Sequence, residues 1–317
     1  MSNYQKIISV IQAAKKPAIL CHIRPDGDTL GAALGLKFAL NTGADVYCDA
    51  DISSYYDIVP GIETVGCNDF DRAAYDLLIA ADCADASRLG KYKPTFLKHP
   101  NTVSIDHHKT NESFAKLNYV RPETSSAGEL VFNLIRDAGF SLNDNSAVCL
   151  YIAVCTDTGN FTHSNTTPES YVMAAELLKH KVDVSYLNRK LYREMPYARL
   201  KLLSKTLETL KLHADGKIAV MDLSLKTLAE CGCKNGDTEG FVEYTINTEG
   251  AVVGILLTEL SRNSYKASLR SKPETDVSRA AAYFKGGGHK QAAGCIISGK
   301  LPDVIDKIVF ECSKEIN

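Results

Sequence analysis

The chain has no excess of charge of either sign, no long apolar run and no tract of simple composition, and each absence removes a class of protein. Lys and Arg number 36 against 38 Asp and Glu, a net charge of −2, so there is no global basic field of the kind that grips long nucleic acid. A small phosphorylated ligand held in a local pocket stays open. No stretch approaches the roughly 20 apolar residues needed to cross a bilayer, which argues against a membrane partner. The opening MSNYQKIISVIQAAKK lacks the hydrophobic core and cleavage site of a signal peptide. There is no internal repeat. What is present is the composition of a soluble globular protein, 45% hydrophobic and 23% charged over 317 residues, enough for one large domain or two ordinary ones. Cysteine, by contrast, is plentiful at ten residues. The cysteines are scattered, and Cys21, Cys149 and Cys155 sit inside apolar runs, so buried reduced thiols and a cytoplasmic location are expected.

The fold class expected is α/β. Over the first ~180 residues short apolar strands alternate with helical patterns, which implies a parallel sheet flanked by helices. PAILC (17–21), DLLIAA (76–81) and TVSI (102–105) read as buried strands. TLGAALGLKFALNTG reads as a helix with Asp28 as its N-cap and Gly43 as its stop. Ser126 and Glu129 have capping-box spacing ahead of another helix, AVCLYIAVCTDTG (147–159) reads as helix by its length, and Thr167-Pro168-Glu169 opens one more. A long helical pattern over ~185–212, disturbed by Pro196, reads as a connecting helix. After it the rhythm changes: a strand in KIAVMDLS, a helix in TEGFVEYTIN, and a hairpin turning at Arg262-Asn263. The expected division is a catalytic domain over 1–184, a helical linker over 185–215 and a second domain over 216–317.

The acidic and histidine residues fall at telling places. His22, Asp82 and Asp106 follow expected buried strands, and open α/β sheets bind ligands beyond the carboxyl ends of their strands. In His22-Ile-Arg-Pro-Asp26-Gly-Asp28, Pro25 and Gly27 force a tight turn that can aim both carboxylates toward His22. Alone, that segment suits a surface turn as well. Asp82 alone would pass as the start of an Asx turn and Asp157 as a cap. Asp106-His107-His108 is harder to explain by packing, although a solvated turn would also hold it. Together they form a mixed nitrogen and oxygen donor set suited to Mn²⁺, Mg²⁺, Fe²⁺ or Zn²⁺, with no thiolate to suggest a structural zinc site. So many carboxylates in one volume repel unless cations neutralise them. Two ions about 3.5–4 Å apart could stabilise the attacking and leaving oxygens of phosphoryl transfer. Downstream, Gly286, Gly287, Gly288 and His289 read as a backbone cradle for an anion, and Arg270 as a guanidinium donor to phosphate; a flexible loop and an exposed strand arginine are their plainer readings.

Taken in order, HIRPDGDTLGAALGL, ADCAD, SIDHHKT and CTDTGNF resemble the four signature segments of the DHH phosphoesterases, and GGGHKQAAG resembles the hallmark of their DHHA1 domain. The resemblance covers residues ~17 to ~298. It implies an α/β domain with a parallel sheet, a connecting helix, and a smaller α/β domain closing over a cleft. It implies one metal on His22, Asp26 and Asp82, and a second on Asp28, Asp82, His107 and Asp157, with Asp82 bridging. His108 would contact the scissile phosphate, Asp106 would support the histidines, and Arg270 and His289 would grip substrate phosphate. Ala32 departs from the serine of many relatives, but that serine is not a metal ligand.

Within the family the short two-domain form resembles the bifunctional oligoribonuclease and 3′-phosphoadenosine 5′-phosphate phosphatase (nanoRNase) group. The resemblance implies hydrolysis of short RNA and linear dinucleotides to nucleoside monophosphates and two divalent ions, foremost Mn²⁺; the chain's size and near-neutral charge argue against a grip on long duplexes. The alternatives are a phosphodiesterase acting on cyclic dinucleotides or their linear products, a manganese-dependent inorganic pyrophosphatase, and a non-catalytic nucleotide sensor. The Gly-Gly-Gly-His segment argues against the pyrophosphatase, and the complete ligand set against the sensor. A homodimer is compatible with the sequence but not specified by it.

Overall fold

The computed structural model describes residues 2–316, which divide into two compact units, one up to Glu194 and one from Met195. In the first unit the elements run α1 (Asn3–Ala13), β1 (Pro17–Leu20), α2 (Gly27–Ala39), β2 (Asp45–Tyr47), β3 (Val65–Gly66), β4 (Leu77–Ala81), α3 (Lys93–Lys98), β5 (Thr102–Asp106), β6 (Leu117–Val120), α4 (Ala127–Asp137), α5 (Asp144–Asp157), α6 (Pro168–Leu177) and α7 (Val184–Asn188). Its six strands are all parallel, in the order β3-β2-β1-β4-β5-β6. From β1 the chain first builds outward through β2 and β3, then returns to place β4 on the other side. The crevice beyond the carboxyl ends of β1 and β4 is therefore the topological switch point, where doubly wound sheets bind their ligands.

The central strands β1 and β4 are apolar and buried throughout because both faces are covered. Side chains alternate along each strand. Ile19, Leu77, Ile79, Ala81, Val103 and Ile105 join one core with residues of α2, α4 and α5, while Ala18, Leu20, Leu78 and Ala80 join another with Tyr92 and Phe96. α2 and α5 approach closely because Gly27, Gly31 and Gly35, four residues apart, share one helix face. A Cβ on Gly31 would lie 2.4 Å from the Cys149 carbonyl oxygen, and one on Gly27 2.4 Å from Thr156 Oγ1.

Several caps differ from the sequence expectation. Asp26, not Asp28, caps α2, its carboxylate accepting from the Thr29 N–H, because the helix begins one residue after it. The helix ends at Ala39 with Leu40 as its C-cap, short of Gly43. Ser126 caps α4, but the Glu129 carboxylate turns away from it to bond Ser125 N and Oγ, at 3.0 and 2.6 Å, so the reciprocal box is not closed. The connecting helix is also not continuous. α7 runs into a π-helical turn over Arg189–Arg193, the chain leaves the helical region at Glu194 (ψ 122°), and Pro196 caps the helix that follows. No helix among the described residues is long and apolar enough to cross a membrane.

The second unit contains α8 (Tyr197–Leu207), β7 (Lys211–His213), β8 (Ile218–Leu223), α9 (Leu225–Cys231), α10 (Val242–Ile246), β9 (Val253–Ser261), β10 (Ser264–Ser271), α11 (Val277–Tyr283), β11 (Gly287–His289), β12 (Ala292–Ser298) and α12 (Leu301–Ser313). Its six-stranded sheet has the order β11-β12-β10-β9-β8-β7, antiparallel except between β8 and β9. The hairpin between β9 and β10 turns at Arg262 and Asn263, the latter left-handed with φ 59°. One sheet face packs Val277, Ala281, Val304 and Ile308; on the other, Leu202, Leu203 and Phe241 cover Met221 and Leu256.

Candidate functional site

Five segments converge at the switch point. His22 lies two residues beyond β1, Asp82 directly beyond β4, and Asp106 is the last residue of β5. Asp26 and Asp28 stand at the start of α2 and Asp157 at the end of α5. Asp82 adopts a left-handed backbone with φ 57°. That conformation is unfavourable for a residue with a Cβ and least so for Asp and Asn, so the turn holds local strain at the position where the carboxylate enters the site.

Asp82 lies between two groups of donors. Its Oδ2 is 3.6 Å from His22 Nε2, with Asp26 Oδ2 3.9 Å from the same nitrogen. Its Oδ1 is 3.7 Å from His107 Nε2, which also lies 3.6 Å from Asp28 Oδ2 and 3.7 Å from Asp157 Oδ2. In each of the triads His22–Asp26–Asp82 and Asp28–His107–Asp157 the candidate ligand atoms all fall within 4.8 Å of one another. Asp28 differs from its expected aim. It faces His107 rather than His22, because the N–H groups of Ala127 and Gly128 at the start of α4 bind its two oxygens at 2.7 and 2.8 Å. A helix N-terminus favours an anion there.

The electrostatics of this cluster call for cations. Burial, then the charges of Asp82, Asp157 and Asp26, push Asp28 well above the usual carboxylate range. Burial raises Asp157 to about 6, against the charge of His107, and its place at the negative end of α5 adds no relief. Burial also opposes ionisation of Asp82, but the His22 imidazole 3.6 Å away, the charge of His108 and a hydrogen bond from Thr29 hold it below its ordinary value. Asp82 Oδ1 is buried without a hydrogen bond. An orphaned carboxylate oxygen between two imidazoles, with four carboxylates close by, is the donor arrangement a pair of divalent ions would satisfy. The His107 ring suits it: Nδ1 faces the Thr124 carbonyl at 3.4 Å, leaving Nε2 for a metal. At His22 the Arg24 N–H meets Nδ1 at 3.2 Å, so ligation through Nε2 requires the other tautomer.

His108 also stands beside Asp82, its Nδ1 3.5 Å from Oδ1, and with Asp82 and His107 makes a third group whose candidate ligand atoms fall within 4.8 Å of one another. Its Nδ1 is 2.7 Å from Asp106 Oδ1, and that hydrogen bond raises it to about 8, against the opposing effect of burial. Fully buried Asp106 is held in turn by Asn111 Nδ2 on its other oxygen, at 2.6 Å. Three supporting residues escaped the sequence reading. Thr29 Oγ1 lies 2.7 Å from Asp82 Oδ2, Asn111 anchors Asp106, and Asn165 Nδ2 donates to Asp157 Oδ2 at 3.0 Å. Each is a polar residue close in sequence to a ligand, which is a weak signal without a fold to orient it.

In the second unit Arg270 and His289 share a row. Both pair with Ala292, one from each side of β12, so both side chains leave the same sheet face, with Cα atoms about 10 Å apart across two strand spacings. The glycine run is not the open loop of the simplest reading. Gly287–His289 forms the edge strand β11, and a Cβ on Gly286 or Gly288 would lie 2.2 or 2.5 Å from a β12 carbonyl oxygen. Gly287 alone of the three is open on its Cβ side.

Residues 16–154 match the model of the DHH family N-terminal domain, and residues 215–315 that of the DHHA1 domain. The chain is 32% identical over 313 residues to the bifunctional oligoribonuclease and PAP phosphatase NrnA of Thermus thermophilus, covering 98% of this chain and 93% of that one. It is 28% identical over 301 residues to the probable bifunctional oligoribonuclease and PAP phosphatase NrnA of Streptococcus mutans, covering 93% of each. Among solved structures, an exopolyphosphatase-related protein from Bacteroides fragilis superposes with a TM-score of 0.89 at 28% identity, over 98% of this chain and 96% of that one. The chain belongs to the DHH family of phosphoesterases and carries the DHHA1 domain. It is thus a hydrolase of a class that depends on divalent metal ions, and its similarity to the NrnA-named members extends over nearly the whole length of both chains.

Proposed function

We propose that the protein cleaves short oligoribonucleotides and linear dinucleotides to nucleoside monophosphates and converts 3′-phosphoadenosine 5′-phosphate to AMP. The observation that carries this reading is the pair of ligand triads joined through Asp82 at the switch point of the sheet. The relatives from Thermus thermophilus and Streptococcus mutans bear both activities in their names. His22, Asp26 and Asp82 would hold one divalent ion, and Asp28, Asp82, His107 and Asp157 the other. Mn²⁺ is the ion we favour, since the mixed imidazole and carboxylate set suits it. When bound, such ions supply Lewis acidity to the phosphoryl oxygens and lower the pKa of water.

The remaining work falls to the chain's own side chains. In the reaction a water oxygen bonds to phosphorus, the ester P–O bond breaks, and the departing ribose oxygen takes up a proton. His108, charged at neutral pH and fixed through Nδ1 by Asp106, offers Nε2–H to an oxygen of the scissile phosphate. Arg270, His289 and the Gly286–Gly288 backbone bind substrate phosphate, Arg270 with the planar fork that matches it. The net charge of −2 favours short substrates over long duplexes, and the ten free thiols suit the cytoplasm.

Incubation with Mn²⁺ and a panel of pApA, a 5′-labelled trinucleotide, 3′-phosphoadenosine 5′-phosphate, cyclic di-AMP and pyrophosphate tests the assignment. Turnover of the first three is expected. Preference for cyclic di-AMP, or turnover of pyrophosphate alone, would replace the substrate class; no turnover of any would remove the catalytic reading.

A further inference from the structure

Arg270 is more tightly held than a surface arginine needs to be. Its Nε donates to Glu243 Oε1 at 2.8 Å, and its Nη1 to the Leu269 carbonyl at 3.1 Å. We propose that Glu243 is a positioning residue for substrate binding: with the Leu269 carbonyl it locks the Arg270 guanidinium by Nε and one N–H of Nη1, and presents the outer end of the fork to a substrate phosphate. The proposal rests on the reading of Arg270 as a phosphate ligand.

A guanidinium has five N–H donors. With one on Nε and one on Nη1 engaged, the second N–H of Nη1 and both of Nη2 remain, and these can meet two phosphate oxygens side by side. Glu243 makes a single contact, on Nε, and leaves that end uncovered. A carboxylate competing with phosphate would sit on the two-pronged face instead.

The backbone is arranged to bring Glu243 there. Gly254 pairs directly with Arg270 across β9 and β10. A Cβ on Gly254 would lie 2.2 Å from Thr245 Oγ1 and 2.6 Å from Ile246 N. The missing side chain therefore lets α10 rest on β9 beside Arg270, with Val242 and Ile246 buried and Glu243 turned toward the guanidinium. The pair is too exposed to matter much for stability, at 35% for Arg270 and 47% for Glu243, and exposed ion pairs contribute little. What it supplies is orientation.

The test compares wild type, Glu243→Ala, Glu243→Gln and Arg270→Ala, with KM and kcat measured on pApA with Mn²⁺ and Kd for AMP measured calorimetrically on the metal-loaded protein. Freeing one long side chain that binding must then order corresponds to about a three- to tenfold loss of affinity. Glu243→Ala is therefore expected to raise KM and the AMP Kd by that factor with kcat little changed. Glu243→Gln keeps the Oε1 acceptor and recovers most of the loss. A purely structural role would lower the melting temperature and would not divide KM from kcat in this way. If both Glu243 variants bind more tightly, the residue competes with phosphate and the proposal is overturned. It is likewise overturned if Arg270→Ala raises KM while Glu243→Ala does not. An unchanged KM in Arg270→Ala strikes instead at the phosphate role beneath it.

Discussion

Asp82 is the residue on which the site turns. It faces both triads, its backbone is left-handed, and one of its oxygens lacks a hydrogen bond. Replacing it with alanine removes the ligand common to both proposed ions. We expect kcat to fall by about 10³-fold or more, as the loss of several kcal/mol of charge stabilisation implies. Activity within tenfold of wild type would sink the shared-ligand assignment. Thr29 and Asn111 act at one remove. Thr29→Val should weaken Mn²⁺ binding, and Asn111→Ala should lower kcat through a loosened Asp106 and His108, each by about 10–100-fold, the usual cost of removing a partner that orients a ligand. Equilibrium dialysis with Mn²⁺ and steady-state rates separate the two effects. An Asn111→Ala enzyme with normal kcat would show that Asp106 needs no second support.

At the scale of elements, the glycine face of α2 sets the distance between the two ends of the proposed ligand cluster. Asp28 lies one residue after Gly27, and Asp157 one residue after Thr156, the neighbour a Gly27 Cβ would strike. A methyl group on Gly31 would meet the Cys149 backbone, which cannot move aside as a side chain can. Gly31→Ala should therefore cost about 1–3 kcal/mol and lower the melting temperature by several degrees. A variant that melts with wild type would mean that α2 and α5 can part without penalty. Such contacts explain what could and could not be read in advance. Strands β1, β4 and β5 were legible because buried parallel strands are continuous apolar runs, and the histidine and aspartates beyond them followed. The cap of α2 is not legible in the sequence because Asp26 and Asp28 suit the position equally by type, and only the tertiary bond from α4 to Asp28 decides between them. Glu129 was drawn from its capping role to Ser125 for the same kind of reason. The Gly286–Gly288 run signalled close backbone approach, but not that two of its glycines are needed against β12.

At the scale of the molecule, the proposed metal ligands all belong to the unit up to Glu194, while Arg270, His289 and Glu243 belong to the unit from Met195. Each unit has its own sheet and its own apolar cores, so ion binding and phosphate binding can be read separately. In the first unit, Asp28 and Asp157 are carboxylates that folding buries among other carboxylates, an arrangement that opposes the folded state until cations arrive. Ions that bind only the folded chain stabilise it by mass action, about 2.7 kcal/mol per site at a hundred times Kd. Chelation with EDTA should therefore lower the melting temperature, and Mn²⁺ should restore it in proportion to the logarithm of its concentration. Hydrogen exchange locates the effect. Protection should rise on adding Mn²⁺ at residues 20–29, 81–83, 105–111 and 154–165, and not along β10 or β11, which carry the proposed phosphate ligands and none of the proposed metal ligands. Uniform protection across both units, or none in the strand-end segments, would refute a metal centre built from the first unit alone.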